Sequence, residues 1–381
     1  MKLFSKTESR PFFFLLGITL LLVVFGLVMV ASASSVDSLR QNSSAYNVFL
    51  GQGRYALIGL ALMFLISRLP VSLIRSLAPI AFLFTLALQV ATVIFGADIN
   101  GNRNWLTLGS ITLQPSEFLK LGLILATAAI IANNYQHRIA FKTWIPPIVF
   151  LGISLALVAG FGRDVGTGIV IAVLGIGMFL LGGMRLSQLL GLVSVGSVLA
   201  IGAIMTSSSR SARFQAWLFP DSADPMGVRW QYEHGTWALA AGGLFGSGLG
   251  KSKLKWSWIP EVENDFIFAI IGEELGMIGA FGVVALFIAL AVTFMVMVHK
   301  NQDPFQMLVI GGVMTWIIMQ AFINISVVLG ALPVLGVPLP LISAGGSSLI
   351  ATLGAIGIVL AIERHRHASE QSSKTKKLVR K

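Results

Sequence analysis

The sequence has no cysteine and few charged residues: only 11% of its 381 residues are Asp, Glu, Lys or Arg, whereas 55% are hydrophobic. The absence of cysteine excludes disulfides, thiolate nucleophiles and thiolate-bound metals. Apolar runs of about 20 residues, the length that crosses the hydrocarbon core of a bilayer, recur along the whole chain and exclude a soluble protein. The first run has no small-residue cleavage site leading to a soluble domain, so we expect a membrane anchor rather than a signal peptide.

The apolar runs predict ten membrane spans and therefore an all-α polytopic membrane protein. The predicted spans cover residues 11–34, 52–67, 74–96, 115–133, 144–162, 166–184, 187–206, 266–298, 306–329 and 341–362. Spans nine and ten share a stretch without charged residues from Pro304 to Ile362, which is too long for one crossing and is interrupted by prolines. A large loop, residues 207–265, is predicted between spans seven and eight.

The basic residues predict the orientation of the protein. Ten spans place both termini on one side, and 16 of the 27 Lys and Arg residues then lie on that side. The other side has 11, six of them in the 207–265 loop, and long loops count weakly in the positive-inside rule. We therefore expect cytoplasmic termini and an extracytoplasmic loop. Twelve of the 16 acidic residues lie on or near the outer face, which predicts chemistry outside the cytoplasm and without ATP.

Residues 1–363 are predicted to form one membrane domain, and residues 364–381 a basic cytoplasmic tail. The tail is polar and rich in Lys, a composition typical of disorder, and it is suited to contact anionic lipids or a cytoplasmic partner. In a membrane protein the net charge of +11 indicates topology and contact with lipid headgroups. A nucleic-acid partner is therefore not expected.

The segment GLFGSGLGKS (243–252) resembles a phosphate-binding P-loop, but Phe245 stands where that pattern needs its first glycine. The segment also lies on the side of the membrane that has no nucleotide. A flexible glycine turn is the better interpretation. The three lysines that follow, Lys251, Lys253 and Lys255, suit an approach to an anionic lipid.

Several polar residues are expected within or beside the spans. Glu117 and Lys120 lie three residues apart on one face of span four, and as a pair they are tolerated in the membrane. A structural ion pair and the wall of a site are equally good interpretations. Asp164 either caps the turn before span six or faces a polar cavity. Ser347 and Ser348 either permit close helix packing or contact a substrate.

Acidic residues gather where the 207–265 loop enters span eight. Asp265 lies at the junction, and Glu273 lies eight residues later, about 12 Å deeper at 1.5 Å per residue. A helix N-cap at Asn264 or Asp265 explains one carboxylate but not the second. The loop also carries a cluster of basic residues: Arg210, Arg213, Arg229, Lys251, Lys253 and Lys255. This arrangement suits a reaction on an anionic, membrane-bound substrate, and capping remains the alternative.

At these residues the sequence resembles the SEDS family (shape, elongation, division and sporulation). The matching segments occur in family order and cover nearly all of residues 10–363. They are GLVMVASASS (26–35), NGNRNWLTLGSITLQPSEFLKLG (100–122), GRDVGTG (162–168), GGLFGSGLGKSKLKWSWIPEVENDFIFAIIGEELG (242–276) and NISVVLGALPVLGVPLPLISAGGSS (324–348). The SASS at the end of span one favours the division (FtsW-like) members over the elongation (RodA-like) members.

The resemblance implies ten spans and an inverting glycosyltransferase that polymerises lipid II into peptidoglycan, with undecaprenyl diphosphate as the leaving group. The essential Asp of the family corresponds to Asp265, and its Glu–Lys pair to Glu117 and Lys120. Two positions depart from the family pattern. Arg163 stands where Pro is usual, and Ala344 stands where Tyr is frequent.

One carboxylate and a cationic clamp suffice for this reaction. A positioned base activates the attacking sugar hydroxyl, and the diphosphate leaves as an anion without protonation. We predict Asp265 as the base. The predicted substrate-binding and cavity residues are Glu117, Lys120, Arg103, Asp164, Arg210, Arg213, Lys251, Lys253, Glu273, Ser347 and Ser348. A divalent cation, Mg²⁺ or Mn²⁺, could assist the clamp, although the sequence identifies no metal site.

Two other classes of function remain open. A lipid II flippase would also have ten spans, broken helices and intramembrane charges, but it should have polar elements of similar size on both faces. A scaffold that only recruits division proteins would leave Glu117, Lys120, Glu273 and Glu274 without a purpose. An elongation polymerase of the RodA type is a further alternative within the family.

The predicted partners follow from what the chain lacks. The 207–265 loop is too small to hold a transpeptidase domain, because domains usually have 100–150 residues. We therefore predict a class B penicillin-binding protein as partner, together with other division proteins and membrane lipids, at the division septum of a bacterial inner membrane. The transmembrane helix of that partner is predicted to pack on an uncharged span such as span nine, where Gly311, Gly312 and Ala321 permit close approach.

Overall fold

A computed structural model describes residues 8–35, 46–99, 102–109, 111–138, 140–205, 208–219, 228–253 and 262–379. Within these ranges the chain is mainly helical. The helices are α1 (Arg10–Ala33), α2 (Asn47–Ile66), α3 (Val71–Phe95), α4 (Pro115–Asn133), α5 (Ile145–Leu155), α6 (Val165–Leu181), α7 (Leu186–Met205), α8 (Ser208–Leu218), α9 (Val228–Gly242), α10 (Ile267–Lys300), α11 (Pro304–Val328) and α12 (Gly346–Val379). The strands are β1 (Ala97–Ile99), β2 (Asn102–Leu108) and β3 (Ile111–Leu113).

The helices match the predicted spans in order. In the described part of the chain, eight helices are long and apolar enough to cross a membrane. Helix α6 and most of α7 are apolar but shorter. Helices α1–α7 correspond to spans one to seven, and α10–α12 correspond to spans eight to ten. Helices α8 and α9 lie in the large loop. The prediction of a helical polytopic membrane protein is confirmed.

The structure corrects three details of the prediction. Helix α2 begins at Asn47, five residues before the predicted boundary at 52. Helix α12 begins at Gly346 rather than at residue 341, because the preceding prolines and the positive φ of Leu341 (67°) exclude a helix there. The tail predicted to be disordered continues α12 to Val379. No Gly or Pro follows Gly357, and Arg366 pairs with acidic groups one turn away on either side.

The loop between α3 and α4 forms a small antiparallel sheet, which the all-α prediction did not include. The strand order is β1-β2-β3, with Thr107 opposite Thr112. Gly109 has a φ of 64°, which suits the tight connection between β2 and β3. The Arg103 N–H donates to the carbonyl of Gly162 at 2.9 Å, so the sheet also holds the turn between α5 and α6.

Small residues allow the inner helices to pack closely. Gly311 lies against Leu181 of α6, and Gly312 lies against Ile124 of α4 with 2.9 Å between that side chain and the place a Cβ would take. Ala321 is also buried. These three residues therefore contact the protein's own helices, and the prediction that they form the docking face for a partner helix is wrong.

The chain between α11 and α12, residues 329–345, connects these helices without forming a helix. We call it the central segment. Irregular backbone at membrane depth is stable only where it is buried in protein or lines a polar cavity. The first condition holds here, because most of the segment from Val337 to Ala344 is buried. Gln52 of α2 donates to the Ser343 carbonyl at 3.2 Å and accepts from Gly345 N–H at 3.1 Å, and Gly26 of α1 lies against Ile342.

Candidate active site

Asp265 lies two residues before the start of α10 at Ile267, and it lies against the central segment. The N-cap position of α10 is occupied by Phe266, which makes no side-chain capping bond, so Asp265 is not the N-cap residue. A Cβ at Gly336 would lie 3.5 Å from Asp265 Oδ2, and Gly336 has a φ of 70° that favours glycine. The absence of a side chain at Gly336 therefore leaves room beside the carboxylate.

Two hydrogen bonds fix the backbone around Asp265. The Asn324 side chain of α11 donates from Nδ2 to the Asp265 carbonyl at 2.8 Å and to the Val337 carbonyl at 2.7 Å. The Ala344 N–H donates to the Glu263 carbonyl at 3.0 Å. The segment that carries Asp265 is thus attached to the central segment at two places, which restricts the positions that its carboxylate can adopt.

Glu117 and Lys120 form a buried ion pair on α4. Lys120 Nζ is 2.7 Å from Glu117 Oε1, and both side chains are no more than 2% exposed. Lys120 Nζ also donates to Gln320 Oε1 at 2.9 Å and lies 4.7 Å from the centre of the Trp316 ring. Gln320 in turn donates to the Pro338 carbonyl at 3.0 Å. The central segment therefore contacts both Gln320, which is bonded to the Glu117–Lys120 pair, and Asp265. The pair and Asp265 are far apart in sequence.

Asp164 caps the start of α6. Its Oδ1 accepts from Thr167 N–H at 2.9 Å at the start of α6. Burial in the turn raises the pKa of the Asp164 carboxyl, the Thr167 bond lowers it, and the charges of Glu117 and Lys120 are close enough to act on it. The capping interpretation of Asp164 is confirmed, and its role in a polar cavity stays a prediction.

The glycine turn of residues 243–248 fills a break in α10. At Gly276 the helix is interrupted by a φ of 68° and a ψ of −167°. Backbone groups of the turn replace the missing helical bonds on both sides of the break. Met277 and Ile278 donate to the carbonyls of Gly243 and Leu244 at 2.9 and 3.3 Å, and the carbonyls of Glu273 and Glu274 accept from Ser247 and Gly248 at 2.9 and 3.0 Å. The segment that resembles a P-loop is thus part of the packing around the broken helix.

Two glycines of this turn differ in how much room a side chain would have, so a matched pair of substitutions tests whether the turn fills the break. Gly243→Ala, at a φ of 54° with nothing within 4 Å, should cost only the left-handed strain of about 1–2 kcal/mol. Gly246→Ala, at a φ of 80°, would also overlap the Glu274 carbonyl and should cost about 1–3 kcal/mol more. Thermal unfolding in detergent measures the difference. Equal melting temperatures would show that the turn does not fill the break.

Glu273 and Glu274 attach residues 249–253, which we call the lysine-bearing loop, to α10. Glu273 accepts from Ser252 Oγ at 2.5 Å and from Lys253 N–H at 2.8 Å. Glu274 accepts from Ser252 N–H at 3.2 Å. The side chains of Lys251 and Lys253 are exposed. Glu273, predicted as a cavity residue, therefore reaches the loop that precedes α10, and its bonds are to protein groups.

The remaining predicted site residues lie on other elements of the fold. Arg103 is half exposed and pairs with Asp98 at 4.0 Å. Ser347 Oγ accepts from Gln114 N–H at 3.0 Å, at the start of α4, and Ser348 is buried beside it in sequence. Arg213 lies on α8. Arg210 lies on the same helix and Arg229 lies on α9, but the structure describes neither side chain. Lys255 lies outside the described residues.

The prediction did not identify four polar residues that organise the site. Gln320 and Asn324 lie four residues apart on α11, on the face that packs against the central segment. Their spacing in an uncharged span was the available signal. Ser32 and Ser252 bond to the two acidic side chains of α10. Within the part of the chain that the structure describes, no group of three or more His, Asp or Glu side chains is arranged to hold a metal ion.

Comparison with known sequences places most of the chain in one family. The model of the FtsW, RodA and SpoVE family, described as "Cell cycle protein", matches residues 13–368. "Probable peptidoglycan glycosyltransferase FtsW" of Mycobacterium tuberculosis (strain ATCC 25618 / H37Rv) is 37% identical over 373 residues, 95% of this chain and 70% of the relative. "Stage V sporulation protein E" of Bacillus subtilis (strain 168) is 33% identical over 363 residues, 95% of this chain and 99% of the relative.

Solved structures share the fold. A structure described as "Structural coordination of polymerization and crosslinking by a peptidoglycan synthase complex" superposes with a TM-score of 0.77 at 26% identity, over 92% of this chain and 97% of that one. The rod shape determining protein RodA of Thermus thermophilus superposes with a TM-score of 0.69 at 26% identity, over 93% and 97% of the two chains.

Proposed function

This chain belongs to the FtsW, RodA and SpoVE family of cell cycle proteins, and we infer that it is a peptidoglycan glycosyltransferase of the division type. It is a multi-pass membrane enzyme that polymerises glycan. The substrate that we propose is lipid II, a disaccharide-peptide carried on undecaprenyl diphosphate. Exposed Lys251 and Lys253, in the loop that is bonded to Glu273 and Glu274 of α10, suit such an anionic, membrane-bound donor.

The observation that carries the mechanism is the position of Asp265 against the central segment. The sugar hydroxyl transfers its proton to the Asp265 carboxylate while its oxygen forms a bond to the anomeric carbon of the donor sugar. The bond from that carbon to the diphosphate oxygen breaks with inversion, and the electron pair leaves with the diphosphate. One base is sufficient because the leaving group departs as an anion, whereas glycosidases use two carboxylates.

The cations have separate proposed roles. Lys251 and Lys253, with Arg210 and Arg213 of α8, would stabilise the negative charge that develops on the leaving diphosphate. Lys120 is buried and engaged with Glu117 and Gln320, so it would support the floor of the site rather than bind the diphosphate. The polar atoms around Asp265 and Asp164 would bind sugar hydroxyls.

A divalent cation is a further part of the proposal. Mg²⁺ in proteins is commonly held by one or two carboxylates together with substrate phosphates. Asp265 would supply one ligand through the carboxylate oxygen that does not take the proton, and the substrate diphosphate would supply the others. When bound, the cation would neutralise charge on the leaving group.

The proposed partner is a class B penicillin-binding protein that cross-links the new strands. The similarity to a synthase complex that coordinates polymerisation with cross-linking supports this proposal. The outer domain of the partner would rest on the 207–265 loop and influence Asp265. We propose cytoplasmic termini and a location at the division septum, as the distribution of basic residues and the division-type relatives suggest.

A polymerisation assay tests the proposed function. The purified full chain in detergent, with and without the transpeptidase and with Mg²⁺ or EDTA, is incubated with fluorescent lipid II. We expect glycan ladders on a gel, with more polymer when the partner and Mg²⁺ are present. No polymer in any arm contradicts the glycosyltransferase. In a parallel arm with the chain reconstituted in vesicles, movement of lipid II across the bilayer without polymer would favour transport instead. Equal yields with and without the partner contradict activation, and equal yields in EDTA contradict the cation.

A further inference from the structure

The outer end of α1 is hydrogen-bonded to the lysine-bearing loop through α10. Ser32 Oγ of α1 lies 2.8 and 2.7 Å from the two carboxylate oxygens of Glu274. Glu274 Oε1 also accepts from Ser252 N–H at 3.2 Å. Glu273 accepts from Ser252 Oγ and from Lys253 N–H. Three segments that are distant in sequence therefore meet at two neighbouring carboxylates.

The burial of these carboxylates indicates a requirement for this arrangement. Glu274 is fully buried and Glu273 is 4% exposed, in a helix that is otherwise apolar at this level. Placing a carboxylate there is unfavourable unless hydrogen-bond donors compensate it. The donors include two backbone N–H groups of the loop and two serine hydroxyls, Ser32 and Ser252. The carboxylates thus keep their low-energy position only when the loop and α1 are both in place.

The bonds lie on the backbone between and beside the two lysines of the loop. They involve Ser252 and the backbone N–H of Lys253, whereas the side chains of Lys251 and Lys253 are exposed. The backbone between the lysines is therefore held while their ammonium groups stay accessible to an anion. An arrangement of this kind limits the conformational entropy that is lost when the lysines bind a ligand.

We propose that Ser32, Glu273 and Glu274 are positioning residues for the diphosphate of the lipid substrate. They form a latch that holds the loop carrying Lys251 and Lys253 against α10, and Ser32 makes the end of α1 part of that latch. The inference rests on the proposed function only in taking a lipid diphosphate as the ligand of the two lysines. It assigns to Ser32, the first residue of the SASS motif, a role in substrate affinity.

Two serines at the end of α1 provide a matched pair of variants. Ser32→Ala removes the hydroxyl that donates to Glu274. Ser34→Ala removes a buried hydroxyl only two residues away, which donates at 2.8 Å to the Val30 carbonyl of its own helix. Both changes remove one oxygen from the same part of the molecule, so a general loss of stability should affect them alike. Ser252→Ala serves as a third variant, because it removes one latch bond without changing α1.

The probe is undecaprenyl diphosphate, titrated against the full chain in detergent. We expect the Kd to rise about tenfold in Ser32→Ala and Ser252→Ala, equivalent to about 1.4 kcal/mol, and to stay unchanged in Ser34→Ala. The difference should shrink at high salt, because screening weakens the attraction between the lysines and the diphosphate. Equal affinities for Ser32→Ala, Ser252→Ala and Ser34→Ala, with melting temperatures like that of the parent chain, overturn the latch.

A double-mutant cycle separates positioning from general structural support. Replacing Lys251 and Lys253 by Ala should weaken binding, and adding Ser32→Ala to that variant should have no further effect, because the latch acts through the lysines. An additional tenfold loss in the triple variant would overturn the proposal. Binding is measured apart from polymerisation. A parent chain that polymerises lipid II while Ser32→Ala binds normally therefore refutes the latch alone, and a parent chain that makes no polymer refutes the glycosyltransferase.

Discussion

Replacing Asp265 by Asn should reduce glycan polymerisation by at least about 100-fold while the protein still inserts and folds. General base catalysis by a positioned side chain typically contributes 10²–10⁴-fold, and an amide cannot accept the proton of the sugar hydroxyl. The change keeps the shape of the side chain. The backbone bond from Asn324 to the Asp265 carbonyl is also kept, so the start of α10 should not move. Initial rates with fluorescent lipid II measure the loss.

Glu263 provides the control for this prediction. It lies two residues before Asp265, and its carbonyl accepts from Ala344 N–H, a bond that Glu263→Gln keeps. The substitution also removes one negative charge from the same junction, so it tests whether charge alone matters. We expect Glu263→Gln to retain most of the polymerase activity. A polymer yield from Asp265→Asn close to that of the parent chain would remove Asp265 as the base, whatever the control shows.

The polar residues of the site could be predicted because charge is costly within a membrane. Glu117 and Lys120 stood out in an apolar span, and the structure places them in a buried ion pair, as their spacing indicated. Asp265 stood out at the junction between the loop and span eight. In these cases a local pattern was sufficient, since it needed only the identity of a residue and its depth along a span.

The connections between the segments could not be predicted in the same way. Ser32 and Glu274 are 242 positions apart, and no local pattern indicates that they bond. The break at Gly276 depends on the turn at residues 243–248, which supplies the missing backbone partners. The prediction that Gly311 faces a partner failed for a related reason. A small residue indicates a close approach between helices but does not specify which helix approaches.

The second large effect is expected at the Glu117–Lys120 pair, and it concerns stability. Glu117→Ala or Lys120→Ala alone should each lower the free energy of unfolding by about 3–5 kcal/mol, because each change leaves an uncompensated buried charge. The double variant should be no less stable than the worse single variant, since neither charge then remains. Melting temperatures of the three variants in detergent measure this coupling.

The surroundings of the pair predict which single variant is the worse one. Without Glu117, the Lys120 ammonium keeps its bond to Gln320 Oε1 and its contact with the Trp316 ring. Without Lys120, Glu117 Oε1 loses that partner, and Glu117 Oε2 has no hydrogen-bond partner among the described residues. Lys120→Ala should therefore be the more damaging change, and Glu117→Ala should partly rescue it. Additive losses would mean that the two side chains do not interact. In that case Lys120, without Glu117, would account for the link through Gln320 to the Pro338 carbonyl of the central segment.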